Sequence, residues 1–356
     1  MCRQHATRQF LRRLAVEIDA KSTQKGILEH GNIGILHLKC IIPLFHDSNP
    51  VRQLMSHGPQ FEIEKNFQDP EITALLQSWT FEPWIVLPLL LAGSIYLRGW
   101  RELHRRLPHR FGVWRLIAFQ GGLFTLFLSL ASPLHELAER LLQFHMIQHL
   151  VLMMVVPPLL LLGAPILPLL RGWPRTLLQS VIRPLFASAA LQRLGLFLTH
   201  PLVCLLAFTV SNVAWHVPSL YELALRSEFW HEVQHVCFLS TGLLFWWPVV
   251  QPWPSRLRWP RWTMIPYLLF ADIQNTALSA FLIFSERVLY PTYATVPRLW
   301  GISVLDDQAA AGAIMWVPGS VIFLVPVALL SIRLLDASRT RSAMSKKVNY
   351  EAVKVE

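Results

Sequence analysis

Two short strings carry the most chemistry in this chain: HMIQH, from His145 to His149, and HEVQH, from His231 to His235. Each places two imidazoles four residues apart, and positions i and i+4 of a helix lie on one face. Imidazole is the commonest protein metal ligand, and near neutral pH it is mostly uncharged and able to ligate. One such pair can supply two ligands to an ion, and a second helix can supply the rest. Imidazole suits Cu, Zn, Fe and Ni, whereas thioether and thiolate favour Cu(I). Met146, Met153, Met154 and Cys237 lie near the two strings. Gln148 and Gln234 each precede the second histidine and are candidates for fixing a ring tautomer from the second layer.

The elements that must carry these residues are long apolar segments. A spanning helix needs about 20 mostly apolar residues, and seven stretches qualify: about 79–97, 116–134, 142–170, 196–217, 229–250, 262–284 and 309–335. The composition agrees. The chain of 356 residues is 53% hydrophobic and only 15% charged, against about 25% charged in soluble domains. The expected class is therefore all-α, a polytopic bundle of about seven transmembrane helices whose main partner is the lipid bilayer.

The arginines give the orientation. The loops after spans one, three and five hold Arg98, Arg101, Arg105, Arg106, Arg110 and Arg115; Arg171, Arg175, Arg183 and Arg193; and Arg256, Arg258 and Arg261. The alternate loops hold only Arg140, Arg226, Arg287 and Arg298. Positive residues stay on the cytoplasmic side, so the N-terminus is expected outside and the C-terminus in the cytoplasm. The net charge of +10 then records topology, and nucleic acid is not expected as a partner. Three parts follow: an extension over 1–78, carrying His5, His30, His37, His46 and His57 without assigned roles; a membrane domain over 79–335; and a basic cytoplasmic tail over 336–356.

This topology gathers the histidines at one level. Both pairs enter the membrane from the outer side, His216 ends span four there, and His135 lies just before span three. Asp306 and Asp307 open span seven at the same face. The expected metal ligands are His145, His149, His216, His231 and His235, with His135, Gln148, Gln234, Asp306, Asp307 and Asp272 as possible supports. Asp272, mid-span, is costly if it faces lipid; it reads either as part of a proton or cation path or partner contact, or as an interhelical hydrogen bond. Pro157-Pro158 should kink span three, with a cavity below His149. The four cysteines, Cys2, Cys40, Cys204 and Cys237, make no CxxC. No P-loop, GxGxxG or nucleophile elbow occurs. HEVQH formally fits the zinc-protease pattern HExxH, but the parallel HMIQH has no glutamate.

At this point the chain resembles the multi-span CtaG family of cytochrome c oxidase assembly factors. The matching strings are WTFEPWIVLPLLLAGSIYLRGW, SPLHELAERLLQFHMIQHLVLMMVVPPLLLLGAP, HPLVCLLAFTVSNVAWHVPSLYELALRSEFWHEVQHVCFLSTGLLFWWPVV and DDQAAAGAIMWVPG, in order along 79–335. The resemblance implies a non-enzymatic factor of the bacterial plasma (inner) membrane that matures a haem-copper oxidase, with oxidase subunits as partners and copper as the metal handled. Two other readings stay open: a membrane oxidoreductase subunit with haem held between paired histidines, and a copper transporter in which Asp272 is essential.

Overall fold

The computed structural model describes residues 77–255 and 259–353. The expected extension, apart from its last two residues, therefore lies outside the described residues, as do Arg256, Arg258 and Lys354. Every regular element among the described residues is helical. The longer ones, in order, are α1 (Pro83–Arg106), α2 (Val113–Ala131), α3 (Leu134–Arg140), α4 (Leu142–Leu162), α5 (Ile166–Gly172), α6 (Arg175–Ala187), α7 (Ala189–Leu198), α8 (Pro201–His216), α9 (Pro218–Arg226), α10 (Glu228–Val250), α11 (Met264–Phe284) and α12 (Val304–Val353), with one-turn helices at Arg261–Thr263, Thr292–Thr295 and Leu299–Gly301. Six of these are long and apolar enough to cross a membrane, and up to eight spans result if each bent helix pair counts as one.

Two expected boundaries are corrected. Span three ends at Leu162 rather than Leu170, because Gly163 closes the helix and Ala164 takes a left-handed backbone with φ 48°. Pro165 then starts α5 as a separate helix, laid against α1. Span four starts at Pro201 rather than Leu196. Proline at the first helical position suits a new helix, and the preceding residue is pushed to extended backbone; His200 has ψ 128°. At the other end α8 meets α9 at a bend of 74°.

α4 is the central helix. In its membrane window 61% of residues are buried, against 17–39% in the other continuous spans. It packs on α2, α10 and α12, while α11 and α12 form the most extensively packed helix pair. Lipid supplies no hydrophobic force between spans, so close packing and interhelical hydrogen bonds must hold them. Phe208, Phe238, Phe245, Tyr267 and Phe323 interlock in the largest buried cluster. Backbones approach at glycine: a Cβ on Gly242 would lie 2.9 Å from the Met153 carbonyl, and one on Gly312 would lie 2.9 Å from the Ser279 carbonyl.

The arginine-bearing loops meet at one end. Phe111 and Arg110 from the first lie on Trp253 from the fifth, and His200 of the third lies edge-on to Trp259. The two H-x-x-Q-H strings occupy the opposite ends of their helices.

Candidate metal centre

α4 has no cap of its own. Leu141 precedes it with extended backbone and no polar side chain, so the first amides need a partner from elsewhere. Asp307, the fourth residue of α12, supplies it. Its carboxylate is fully buried and accepts the Leu142 amide at 2.9 Å and the Gln143 amide at 3.1 Å. Negative charge at a helix N-terminus is favourable. Arg298 reaches the same carboxylate at 3.5 Å and also donates to the carbonyls of Tyr293, Ile302 and Ser303. Asp307 thus supports the site as the cap that fixes where the histidine helix begins. Asp306 is exposed and makes a local reciprocal cap with Ser303.

His145 and His149 follow on α4, and His231 and His235 open α10. One ligand nitrogen from each of the four lies within 4.8 Å of the others. Ring centroids are 4.2 Å apart within each pair and 5.1 Å apart between His145 and His231. His235 sits 5.7 Å from His149. His216, at the end of α8, stands 6.4 Å beyond His149, outside the group of four. His135, on α3, stacks on His231 at 5.5 Å on the outer side.

Hydrogen bonds fix two of these rings. His216 Nδ1 lies 2.7 Å from the Asn212 carbonyl, which can only accept, so Nδ1 carries the proton and Nε2 the lone pair. The Tyr293 hydroxyl donates to the Ala138 carbonyl at 2.9 Å and lies 2.8 Å from His145 Nδ1. With its proton given to Ala138, the hydroxyl accepts from His145 Nδ1–H, leaving Nε2 free to ligate. Burial holds the Tyr293 phenol well above its ordinary range, which keeps that proton in place. Among the described residues the Nε2 atoms of His145, His216, His231 and His235, and both nitrogens of His149, are buried without a hydrogen-bond partner. Unpartnered buried polar atoms are costly, and a cation bound by lone pairs removes that cost. Four nitrogens about 2 Å from a tetrahedral ion stand about 3.3 Å apart, so ring rotations on the order of an ångström close this group around one ion. The donor set fits a small d-block cation.

A vestibule of about 780 Å3 opens onto His145, His231 and His235, with His135 in its wall. Among the described residues its lining includes Glu82, Glu136, Glu139, Glu228 and Glu232 against one cation, Arg226, which pairs with Glu222 at 2.9 Å. On the far side of the histidines lies a small cavity of about 20 Å3 lined by Met146, His149, Met153, Met154, Asn212, His216, Asn275 and Met315. It lies below His149, where a cavity was expected, although neither Pro157 nor Pro158 lines it. Those prolines leave α4 continuous but convert Val151–Val155 to a π turn. Pro157 has no N–H for the Met153 carbonyl, and the Trp246 indole donates there instead at 3.1 Å.

The supporting residues divide. Gln148 turns away from the four histidines: its amide donates to the Ser129 carbonyl at 2.8 Å and reaches His135 Nδ1 at 3.4 Å. Gln234 is fully buried, and neither end of its amide has a partner among the described residues. Asp272 accepts from Ser320 Oγ on α12 at 2.7 Å, an interhelical contact away from the cluster. Glu232 is exposed to the vestibule. Sequence reasoning missed Tyr293 and the role of Arg298, and it named Gln308 beside Asp306 and Asp307 without a role. Arg298 had a signal, as one of the few arginines in the charge-poor loops. Gln308 bonds the Leu282 and Arg287 carbonyls and the Leu289 amide, bracing the connection that carries Tyr293. Neither Tyr293 nor Gln308 lies at a telling spacing.

The family described as cytochrome c oxidase caa3 assembly factor matches residues 94–337. Similar curated proteins include uncharacterized proteins of Mycobacterium bovis and Mycobacterium tuberculosis, each 29% identical over 261 residues, and one of Mycobacterium leprae, 26% identical. The match covers 70% of this chain and 38% of each relative, so it spans well under half of their length. No solved structure matches the chain.

Proposed function

We propose that this chain, which belongs to the cytochrome c oxidase caa3 assembly factor (CtaG) family, serves oxidase assembly by holding copper on His145, His149, His231 and His235 and releasing it to an immature oxidase subunit. The observation that carries the reading is the convergence of four ligand nitrogens from two helices within 4.8 Å. Copper is cargo here, and the role is non-catalytic. The four imidazoles are neutral ligands that suit copper, and the buried Tyr293 hydroxyl orients one of them. The acidic vestibule gives a cation a favourable approach, since clefts lined by one sign of charge concentrate the opposite ion. The arginine-rich loops lie at the other end, so under the positive-inside rule the vestibule faces outward from a bacterial plasma membrane, with the C-terminus in the cytoplasm. Close ring packing favours a small ion over haem: the four imidazoles stand 4.2–6.5 Å from their neighbours by centroid, and one nitrogen from each lies within 4.8 Å of the other three, a grouping that suits one ion better than a macrocycle between two rings.

The test is anaerobic Cu(I) competition against a chromophoric chelator with the purified full chain, beside the His145→Ala/His231→Ala variant. The wild type should hold one more equivalent than the variant, and cells relying on the variant should lose oxidase activity. Equal copper content and equal oxidase activity in the two would overturn the assignment. A strong Soret band in the purified wild type would replace copper by haem.

A further inference from the structure

The small cavity beyond the histidines has an unusual lining. Four methionines, Met146, Met153, Met154 and Met315, meet there with His149 and His216. All four methionines are buried, at 6% exposure or less. They come from two helices: three from α4 and one from α12, while α8 contributes His216 and α11 contributes Asn275. Methionine scattered through a span is packing material, but four thioethers and two imidazoles around one cavity form a donor set.

The local backbone explains the convergence. In a regular α-helix the residue below His149 on the same face is Met153, at i+4. The π turn at Val151–Val155 inserts one residue into the frame, so Met154, at i+5, is brought onto the face of His149 as well. Met153 and Met154 lie about 6–7 Å along the axis from His149, by rise per residue. His216 points at the same space with Nε2 unpartnered, its other nitrogen fixed by the Asn212 carbonyl. A cavity of about 20 Å3 has room for roughly one water-sized occupant, the size of a single ion and too small for any organic ligand.

We infer that this cavity is a second metal site, selective for a soft monovalent cation of the Cu(I) class, ligated by His216 and thioethers from Met154 and Met315, with the single lone pair of His149 serving the outer four when both sites are filled and turning inward when an ion passes between them. It rests on the copper reading of the outer four histidines and extends it inward. His149 belongs to both groups: it is one of the four, it lines the inner cavity, and neither of its ring nitrogens has a protein partner among the described residues. A copper ion therefore meets a graded series of ligands. The outer four nitrogens accept Cu(I) or Zn(II) alike, while the inner thioethers discriminate against Zn(II), because soft sulfur ligands select Cu(I). The transfer is ligand exchange at constant oxidation state and needs no electron donor.

The experiment uses the full chain in detergent, loaded anaerobically with Cu(I) or separately with Zn(II), followed by metal analysis and X-ray absorption. The wild type should hold two equivalents of Cu(I), with both sulfur and nitrogen scatterers, but one of Zn(II) with nitrogen only. Met154→Leu/Met315→Leu, nearly conserving volume, should lose one Cu(I) and the sulfur signal while keeping its Zn(II). That zinc equivalent reports folding in the same sample. Should the double variant lose it, M154L and M315L are read singly, and sulfur scattering in the wild type still decides. One Cu(I) with nitrogen scattering alone in the wild type overturns the inner site and leaves the outer one standing. Absence of both metals from the wild type overturns the two together.

Discussion

α4 and α10 open with the same polar letters at the same spacing and stand in different surroundings. On α4, His145 is tied through Tyr293 to Ala138, His149 is enclosed, and the helix start is held by a buried carboxylate from the last span. On α10, both His231 and His235 face the large acidic vestibule, which only His145 of the α4 pair reaches, His231 is only half-buried, and no side chain caps the helix start. The pair on α4 is built to hold its geometry, and the pair on α10 is left to adjust. A carrier needs both properties, since a ligand set rigid on every side binds tightly and releases slowly, while one loose on every side discriminates poorly.

The largest difference should appear when one imidazole is removed from each helix. His149→Ala takes a ligand from the outer four and also from the wall of the inner cavity. Cu(I) retention should fall by roughly 100-fold or more, beyond the 10–100-fold typical of losing a second-layer partner. His231→Ala should fall less, because His135 stacks on His231 and can take its place from the vestibule side. Chelator competition at fixed pH measures both. A greater loss in the His231 variant would reverse the assignment of the fixed and adjustable pairs.

A smaller effect should follow from loosening the fixed pair without removing a ligand. Tyr293→Phe deletes one oxygen. It leaves the Ala138 carbonyl and His145 Nδ1–H without that partner, a cost of about 1–3 kcal/mol for each buried group, and frees the choice of tautomer. Copper affinity should drop about tenfold, at the low end for orienting partners. No equivalent single-oxygen change on the α10 side should do this. Unchanged affinity in Tyr293→Phe would mean that the His145 tautomer is set by the ion alone.

The sequence made the histidine convergence legible because it needs only two periodicities. The i,i+4 spacing puts each pair on one face, and the alternation of arginine-rich loops puts both faces at one membrane level. The same logic brought His216 to the same membrane level, but it stands 6.4 Å beyond His149 and outside the group of four. What stayed hidden came from connections. Tyr293 and Arg298 lie between spans six and seven, where no hydrophobic period fixes direction, and a cap contributed to Leu142 by Asp307 crosses 165 residues. The spans were legible where apolar runs end in charge and were misread where they end in a turn: Leu150 to Leu170 is a continuous apolar run, and only Gly163-Ala164-Pro165 divides it. Asp306 and Asp307 were readable as a pair near the site but not as separate roles, because adjacent helical positions face different neighbours. The methionine cavity depends on the π turn, which shifts the frame by one residue and leaves no mark in composition.

The two glutamines offer the finest comparison, since they occupy the same position in each string. Gln148 donates to the Ser129 carbonyl and lies within reach of His135, so Gln148→Leu strips a buried carbonyl of its partner. The protein should lose about 1–2 kcal/mol, and His135 should lose its orientation at the vestibule wall. Gln234 has no protein partner for either end of its amide among the described residues. Replacing a buried group of that kind by an apolar side chain of similar size is near neutral or stabilising, so Gln234→Leu should keep or slightly raise the unfolding temperature in detergent. Its copper retention then becomes informative. If Gln234→Leu is stable yet binds copper less well, the amide is held in reserve for the loaded state, turning to His231 or His235 only when an ion draws those rings inward, and the α10 pair is adjustable in its second layer as well as its first. If stability falls as it does for Gln148→Leu, the two glutamines are equally engaged and the asymmetry between the helices stops at the histidines.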